Sequence, residues 1–587
     1  MATTGLTRRS LLQSILFGAG SLACCLRKKP ELVCPTSPAV SFLKGPLTID
    51  THCHVFNGTD LQVQKFISMV VVRQGGPLSG AAKALGSVLQ HLAWATAPKG
   101  TRELEELAKI AAQMSTCSDG RITDRVGVLR QEAYSQGRAQ LQSAVQQSAE
   151  FRELRNRPQR ELRGLDQESR ARADALRVID SLPEDAEAYR AGRRLPDDSE
   201  MLFSGDAVKG FIAFLLQNFQ YRYVSVHDYL RSYNQPGTRV VDLLLPNMVD
   251  YDFWLAKGDA TATSLPTQVE VMRQISILTG GRVHSFVPFD PLREVAFGLG
   301  HTSTGSLALV KSAIENEGFL GVKLYPPMGF AALGNADVQG ANGSNFWDRE
   351  WLAPWTRQTT DLGKRFDAAM SELFRWCEAE RVPVMAHTNQ SNGVAPEFEA
   401  LAGADGWKKA LAAFPQLRVN FGHFGGASSV EKGLDRARLF ATLMTTSDVS
   451  PGGRFAHADA GFFTEVIKTR PGLVETLRKL YTETKDKGDA ALANRFMYGT
   501  DWEMTLTQGS VDKYLEDFIE LFEELEPRAD FRAAGLTNLA ERFLGWNAVN
   551  WLGLRKGDKA RGRLDTFYAR HRVPEPDWLK KVDGTNR

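Results

Sequence analysis

From residue 238 to about residue 554, short apolar runs alternate with stretches of helical periodicity, the pattern of an α/β fold. Val240 to Met248 predicts a second strand, Arg282 to Phe289 a third and Gly321 to Pro327 a fourth. Residues 329–346, rich in Gly, Asn and Ala, predict a long loop. Asp361 to Glu380 predicts a helix with Phe366, Leu373 and Phe374 turned inward. The next apolar runs end in His387 and His423, as strands five and six, and a later one ends in Asp501, as strand eight. Phe455 to Ala460 is the expected seventh strand, and Ala441 to Ser447 reads as helix. Upstream, Leu47 to Asn57 predicts the first strand, with Pro46 and Asn57-Gly58 punctuating its ends.

Residues 58–237 separate that first strand from the second, and their pattern is mostly helical. Leu104, Leu107 and Ile110 fall at helical spacing, and a charged, Gln-rich stretch follows to about residue 175. Ala207 to Tyr233 carries Phe211, Phe214, Leu215, Phe219, Tyr221 and Tyr223. Lys209, Gln217 and Arg222 argue against a membrane span, so this stretch is expected to pack on the rest of the fold. An insertion after strand one should hang over the C-terminal face of a barrel, as a lid or as an oligomer contact.

The first strand also carries the strongest chemical signal, Asp50-Thr51-His52-Cys53-His54. Residues two apart on a strand share a face, so His52 and His54 project together and Cys53 turns away. Two imidazoles side by side can hold one divalent ion. With 10 His in 587 residues the pair alone is a weak signal. Its weight comes from His387, His423 and Asp501, each also at the end of an apolar run, where barrel enzymes place functional groups. His52, His54, His387 and Asp501 are the expected metal ligands, around one ion, with zinc the expected element. His91, His227, His284, His301, His457 and His571 lack such context and are expected to be structural or on the surface.

Four segments then resemble a known family. They are Ile49-Asp50-Thr51-His52-Cys53-His54, Pro383-Val384-Met385-Ala386-His387, Asn420-Phe421-Gly422-His423 and Tyr498-Gly499-Thr500-Asp501-Trp502. With Phe543-Leu544-Gly545-Trp546-Asn547-Ala548 near the end, they are similar to the amidohydrolase superfamily. Within it the likeness is to the amidohydrolase-related branch that includes aminocarboxymuconate-semialdehyde decarboxylase. The resemblance implies a distorted (β/α)8 TIM barrel made of residues 41–57 and 238–554. Residues 58–237 are then a large helical insertion after strand one, 1–40 an export signal and tail, and 555–587 a C-terminal extension. It implies that Asp501 moves protons and that His423 polarises the substrate or orients water. It also makes Lys323 ambiguous. Other branches carboxylate a lysine on strand four to bridge two metals, so a two-metal site stays open beside the one-metal reading. In the one-metal case Lys323 would contact the substrate, with Arg293 and Trp502 as further substrate contacts. For Arg293 an ordinary ion pair at a helix start is the competing expectation.

The expected activity is hydrolysis of an amide, lactone or similar C–N or C–O bond of a small molecule. Nonoxidative decarboxylation at the same site is the alternative, and a non-catalytic exported metal-binding protein is the reading from another class. A net charge of +2 gives no sign of a nucleic-acid partner. Thr7-Arg8-Arg9-Ser10-Leu11-Leu12 followed by an apolar stretch to Cys25 resembles a twin-arginine export signal, which implies a periplasmic or membrane-anchored bacterial protein. Cys24 or Cys25 is a candidate for a lipid anchor. The six Cys contain no C-x-x-C, which argues against a thiolate zinc site, and Cys53 and Cys377 are expected as buried thiols. Oligomerisation stays open.

Overall fold

The computed structural model describes residues 45–114, 125–192, 195, 201–203, 205–233, 239–343, 346–427, 431–445, 454–508 and 511–584. The expected export signal, Cys24 and Cys25 lie outside the described residues. Eight short parallel strands build the centre: β1 (Ile49–Cys53), β2 (Leu243–Pro246), β3 (Phe286–Pro288), β4 (Gly321–Leu324), β5 (Val384–His387), β6 (Val419–Gly422), β7 (Ala456–Asp459) and β8 (Phe496–Met497). β1 pairs with β2, and β3 to β8 pair consecutively. The two sheets join into a ring. Isolated bridges Leu244–Val283 and Asn247–Phe286 link β2 to β3. On the other side, Thr51 N donates to Tyr498 O at 3.0 Å and Asp501 N to His52 O at 2.6 Å, which links β8 to β1. The fold is therefore a distorted (β/α)8 barrel, irregular where the β1 register shifts between Asp50 and Cys53. Every strand is buried along its length, as in parallel sheets covered on both faces.

The seventh strand lies where the sequence placed it, and the helix expected from Asp361 spans Leu362–Glu380. The loop expected over residues 329–346 is different: it contains a helix, Asn335–Asn342. Its start is capped from a distance. Asp367 accepts from the backbone N–H groups of Gly334, Asn335 and Ala336, each at 2.9 Å. A carboxylate supplied by another helix satisfies the amide donors of this one.

The stretch after β1 is helical, with Val63–Met69, Gly76–Ala84, Gly100–Met114, Arg125–Gln147, Gln167–Ser181, Gly205–Gln217 and Arg222–Tyr233 as its main members. The apolar run from Ala207 forms two helices, and Phe211, Phe214, Phe219 and Tyr223 are buried. Arg222 ties this layer together at 3.0 Å from Glu103 and 3.4 Å from Asp60, all three buried. Among the described residues no helix is long and apolar enough to cross a membrane. At the opposite end, Leu564, Phe567, Trp578 and Leu579 of the C-terminal helices join Leu243, Leu245 and Phe286 in one apolar cluster that plugs the bottom of the barrel. Cys53 and Cys377 are buried free thiols.

Candidate metal centre

The C-terminal ends of β1, β5, β6, β7 and β8 bring His52, His54, His387, His423, Asp459 and Asp501 together. One donor atom each from His52, His54 and Asp501 lies within 4.8 Å of the other two, and all three residues are buried. Asp501 Oδ1 stands 3.2 Å from His54 Nε2 and 3.6 Å from His52 Nε2.

The hydrogen bonds around the rings fix which nitrogens are free. His54 Nδ1 is 2.7 Å from the Asn247 carbonyl, and His52 Nδ1 is 3.1 Å from Asp459 Oδ1. Carbonyl and carboxylate oxygens only accept, so both Nδ1 atoms carry hydrogen and both Nε2 lone pairs face inward in the neutral rings. The same logic runs through β6 and β5. His423 Nδ1 donates to Gly461 O at 2.8 Å, so its Nε2 accepts from His387 Nδ1 at 3.0 Å. That leaves His387 Nε2 as a bare lone pair, buried and without a partner, as is Asp501 Oδ1. Acceptors aimed at one another are stable only around a cation, and this donor set suits a divalent metal.

Electrostatics favour the same state. Burial, then the charge of Lys323, holds His52 well below the ordinary histidine value; burial also holds His387 well below it and lowers His423. Neutral imidazole is the form that binds metal. Burial pushes the Asp501 carboxyl up, but the imidazoles of His54, His52 and His423 around it outweigh that. Asp501 ends below the usual carboxylate range. Burial lowers Lys323 to about 8, and its Nζ lies 3.2 Å from His52 Nε2.

Backbone strain is concentrated here. His423 and Phe424 after β6, and Asp501 and Glu503 after β8, hold φ of 62°, 45°, 54° and 70°. The left-handed region costs a non-glycine residue about 1–3 kcal/mol, and such strain clusters at functional sites. His52 also sits in a cradle that only glycine permits: a Cβ on Gly461 would meet its Nδ1 at 2.5 Å, and one on Gly499 its Cβ at 2.7 Å.

No family model matches this sequence, and no curated protein matches it. Amidohydrolases are among the solved structures similar to this chain. An amidohydrolase from Burkholderia multivorans with bound HEPES is 12% identical; the match covers 54% of this chain and 84% of that one, at a TM-score of 0.31. A TIM-barrel protein from Bordetella bronchiseptica is 12% identical over 57% of this chain and 82% of its own, at 0.33. A 5-carboxyvanillate decarboxylase from Sphingomonas paucimobilis is 11% identical over 53% and 79%, at 0.30.

Two of the expected substrate contacts are placed elsewhere. Arg293 is bound at 2.9 Å to Asp250 and at 2.7 Å to Asp252, so the ion pair at the helix start is what forms. It is absent from the lining of the cavity above the triad. Trp502 packs edge-on against Tyr229 and Tyr233, away from that cavity. Lys323 is absent from that lining as well, but its Nζ lies 3.2 Å from His52 Nε2, beside the triad. Of the histidines set aside, His284 is held by Gly318 O and Tyr568 Oη, each at 2.7 Å.

Asp459 is the residue that sequence reasoning passed over. Its Oδ1 accepts from His52 Nδ1 and from the backbone N–H groups of His423 and Gly461, and its Oδ2 from Asn420 Nδ2 at 2.7 Å. It therefore fixes the tautomer of a triad histidine and the turn that carries His423. Its place as the last residue of the seventh strand was the available signal. Asp459→Asn should weaken metal affinity by about 10- to 100-fold, the usual effect of losing such a support. Titration of metal-free protein, with circular dichroism to confirm folding, checks this; unchanged affinity would strip Asp459 of that role.

Proposed function

We propose that this chain is a metal-dependent hydrolase of a C–N or C–O bond, such as an amide or lactone, in a small molecule. The supporting observation is the close grouping of donor atoms from His52, His54 and Asp501, with partnerless acceptors on Asp501 and His387, beneath a cavity of about 440 Å³. His52, His54 and Asp501 would hold the ion, with His387 Nε2 as the fourth donor. Zinc suits that donor set, and one ion per chain is the count it implies. An ion bound there acts as a Lewis acid and lowers the pKa of water to about 7.

The chain's own groups then divide the work. Asp501, kept ionised, takes the proton of the attacking water and passes it to the leaving nitrogen or oxygen. His423 holds His387 in one tautomer through Nε2, and its position on the cavity floor lets it steer the water. Lys323 hydrogen-bonds the developing negative oxygen of the substrate. To test the reading, chelator-stripped and zinc-reloaded protein is assayed on a panel of amides and lactones for released acid and released carbon dioxide. Acid release that depends on the reloaded ion is the expected result. Carbon dioxide release, or activity indifferent to the chelator, would overturn the assignment.

We also propose export by the twin-arginine route, on the strength of Thr7-Arg8-Arg9-Ser10 and the apolar stretch behind it. Replacing Arg8 and Arg9 with Lys should leave the protein in the cytoplasm. Unchanged export would refute it.

A further inference from the structure

The cavity above the triad has two unlike ends. Its floor is His54, His387, His423 and Asp501, and part of its wall is the apolar row Leu61, Val63, Phe66 and Phe214, all from the helical segment after β1. Among the described residues of the lining, Asp501 is the one buried carboxylate, set beside the imidazoles of His54, His387 and His423, while Asp206 and Lys468 are exposed. A substrate group lying along that side of the cavity meets hydrocarbon, whereas Asn389, Ser391 and Asn392 line another part of it. Burying a charge against such a wall with no partner is costly, whereas burying apolar surface is favourable.

The wall is built in place. Phe66 stacks on Tyr251 of the barrel with ring centroids 5.7 Å apart and planes within 4°. Phe214 lies one helical turn beyond Gly210, on the same face. Gly210 touches the backbone of Thr507, in the turn that follows Asp501, so closely that no Cβ fits between them. The insertion helix thus rests directly on the loop that bears the proton-handling carboxylate. That contact sets how far the apolar wall stands from the floor.

We propose that the insertion forms the specificity pocket of the enzyme. It accepts an uncharged, mainly apolar substituent of several carbons, aligned along Phe66 and Phe214, while the bond to be cleaved lies over the triad. This deepens the metal-hydrolase reading above and rests on it.

The test separates the two. Zinc-loaded full-length protein is titrated calorimetrically with acetohydroxamate, butanohydroxamate, hexanohydroxamate and octanohydroxamate, which share one metal-binding head and differ only in tail length. Affinity should rise about fourfold for each added methylene until the cavity is full. Phe214→Ser and the partly exposed Leu61→Asn should each weaken octanohydroxamate binding more than acetohydroxamate binding. Leu61→Asn keeps the test decisive if Phe214→Ser fails to fold. Acetohydroxamate binding with no gain along the series would overturn the specificity pocket and leave the metal site standing. Failure of every hydroxamate to bind zinc-loaded protein would remove the metal site, and the pocket proposal with it.

Discussion

Asp501→Asn is expected to keep most of its metal and to lose at least ~10² in kcat, the lower range for general acid–base catalysis. The substitution preserves size and leaves one oxygen able to face an ion, but an amide cannot take a proton as a carboxylate does. It also suits the backbone: position 501 holds φ of 54°, and Asn is among the few side chains that accept the left-handed region readily. A loss of activity is therefore attributable to the proton, not to a distorted strand end. His52→Ala is the matched control. It removes a donor whose Nε2 faces Asp501 and should lose metal and activity together. His387→Ala should do the same, because its Nε2 is the bare lone pair left by the His423 hydrogen bond. Elemental analysis and kcat on each purified variant provide the comparison. A metal-loaded Asp501→Asn of near-normal rate would take Asp501 out of the mechanism and pass the proton to His423.

The residues that were legible in the sequence share one property: each ends an apolar run. Strand alternation puts His52 and His54 on one face, and the barrel brings the ends of β5, β6 and β8 to the same rim as β1. Asp459 obeys the same rule but sits two residues after His457, in a strand whose alanines carry little β signal. His457 points into a different environment, where its Nδ1 lies 3.1 Å from the Phe455 carbonyl. The Asn335–Asn342 helix was hidden for another reason, since its cap comes from Asp367 on a separate helix and not from its own sequence. Arg293 illustrates a third limit. Its partners Asp250 and Asp252 follow β2, some 40 residues upstream, and no local pattern joins them. The insertion's helical character was readable from periodicity. That it walls the cavity follows only from long-range packing, such as Gly210 against Thr507.

Lys323→Met is expected to retain one ion per chain and to lower kcat/KM by about 10- to 100-fold, the worth of one hydrogen bond to a charged group. Met has similar length and adapts to the apolar surround, where Met385 Sδ already lies 3.5 Å from the Nζ atom. The alternative role of Lys323 makes opposite forecasts. An amine 3.2 Å from the inward lone pair of His52 is well placed to carry a carboxyl group and bridge a second ion. Adding carbon dioxide requires the neutral amine, and burial brings the Nζ value down to about 8. Protein prepared about one pH unit above that value, with bicarbonate present, is therefore the hardest test of the single-ion site. Unmodified mass on Lys323 and one ion per chain under those conditions support a lysine that contacts substrate. Two ions, the mass of one carbon dioxide on Lys323, and loss of an ion in Lys323→Met would instead establish a bridged pair. The proton acceptor would then lie between two cations, not beside one.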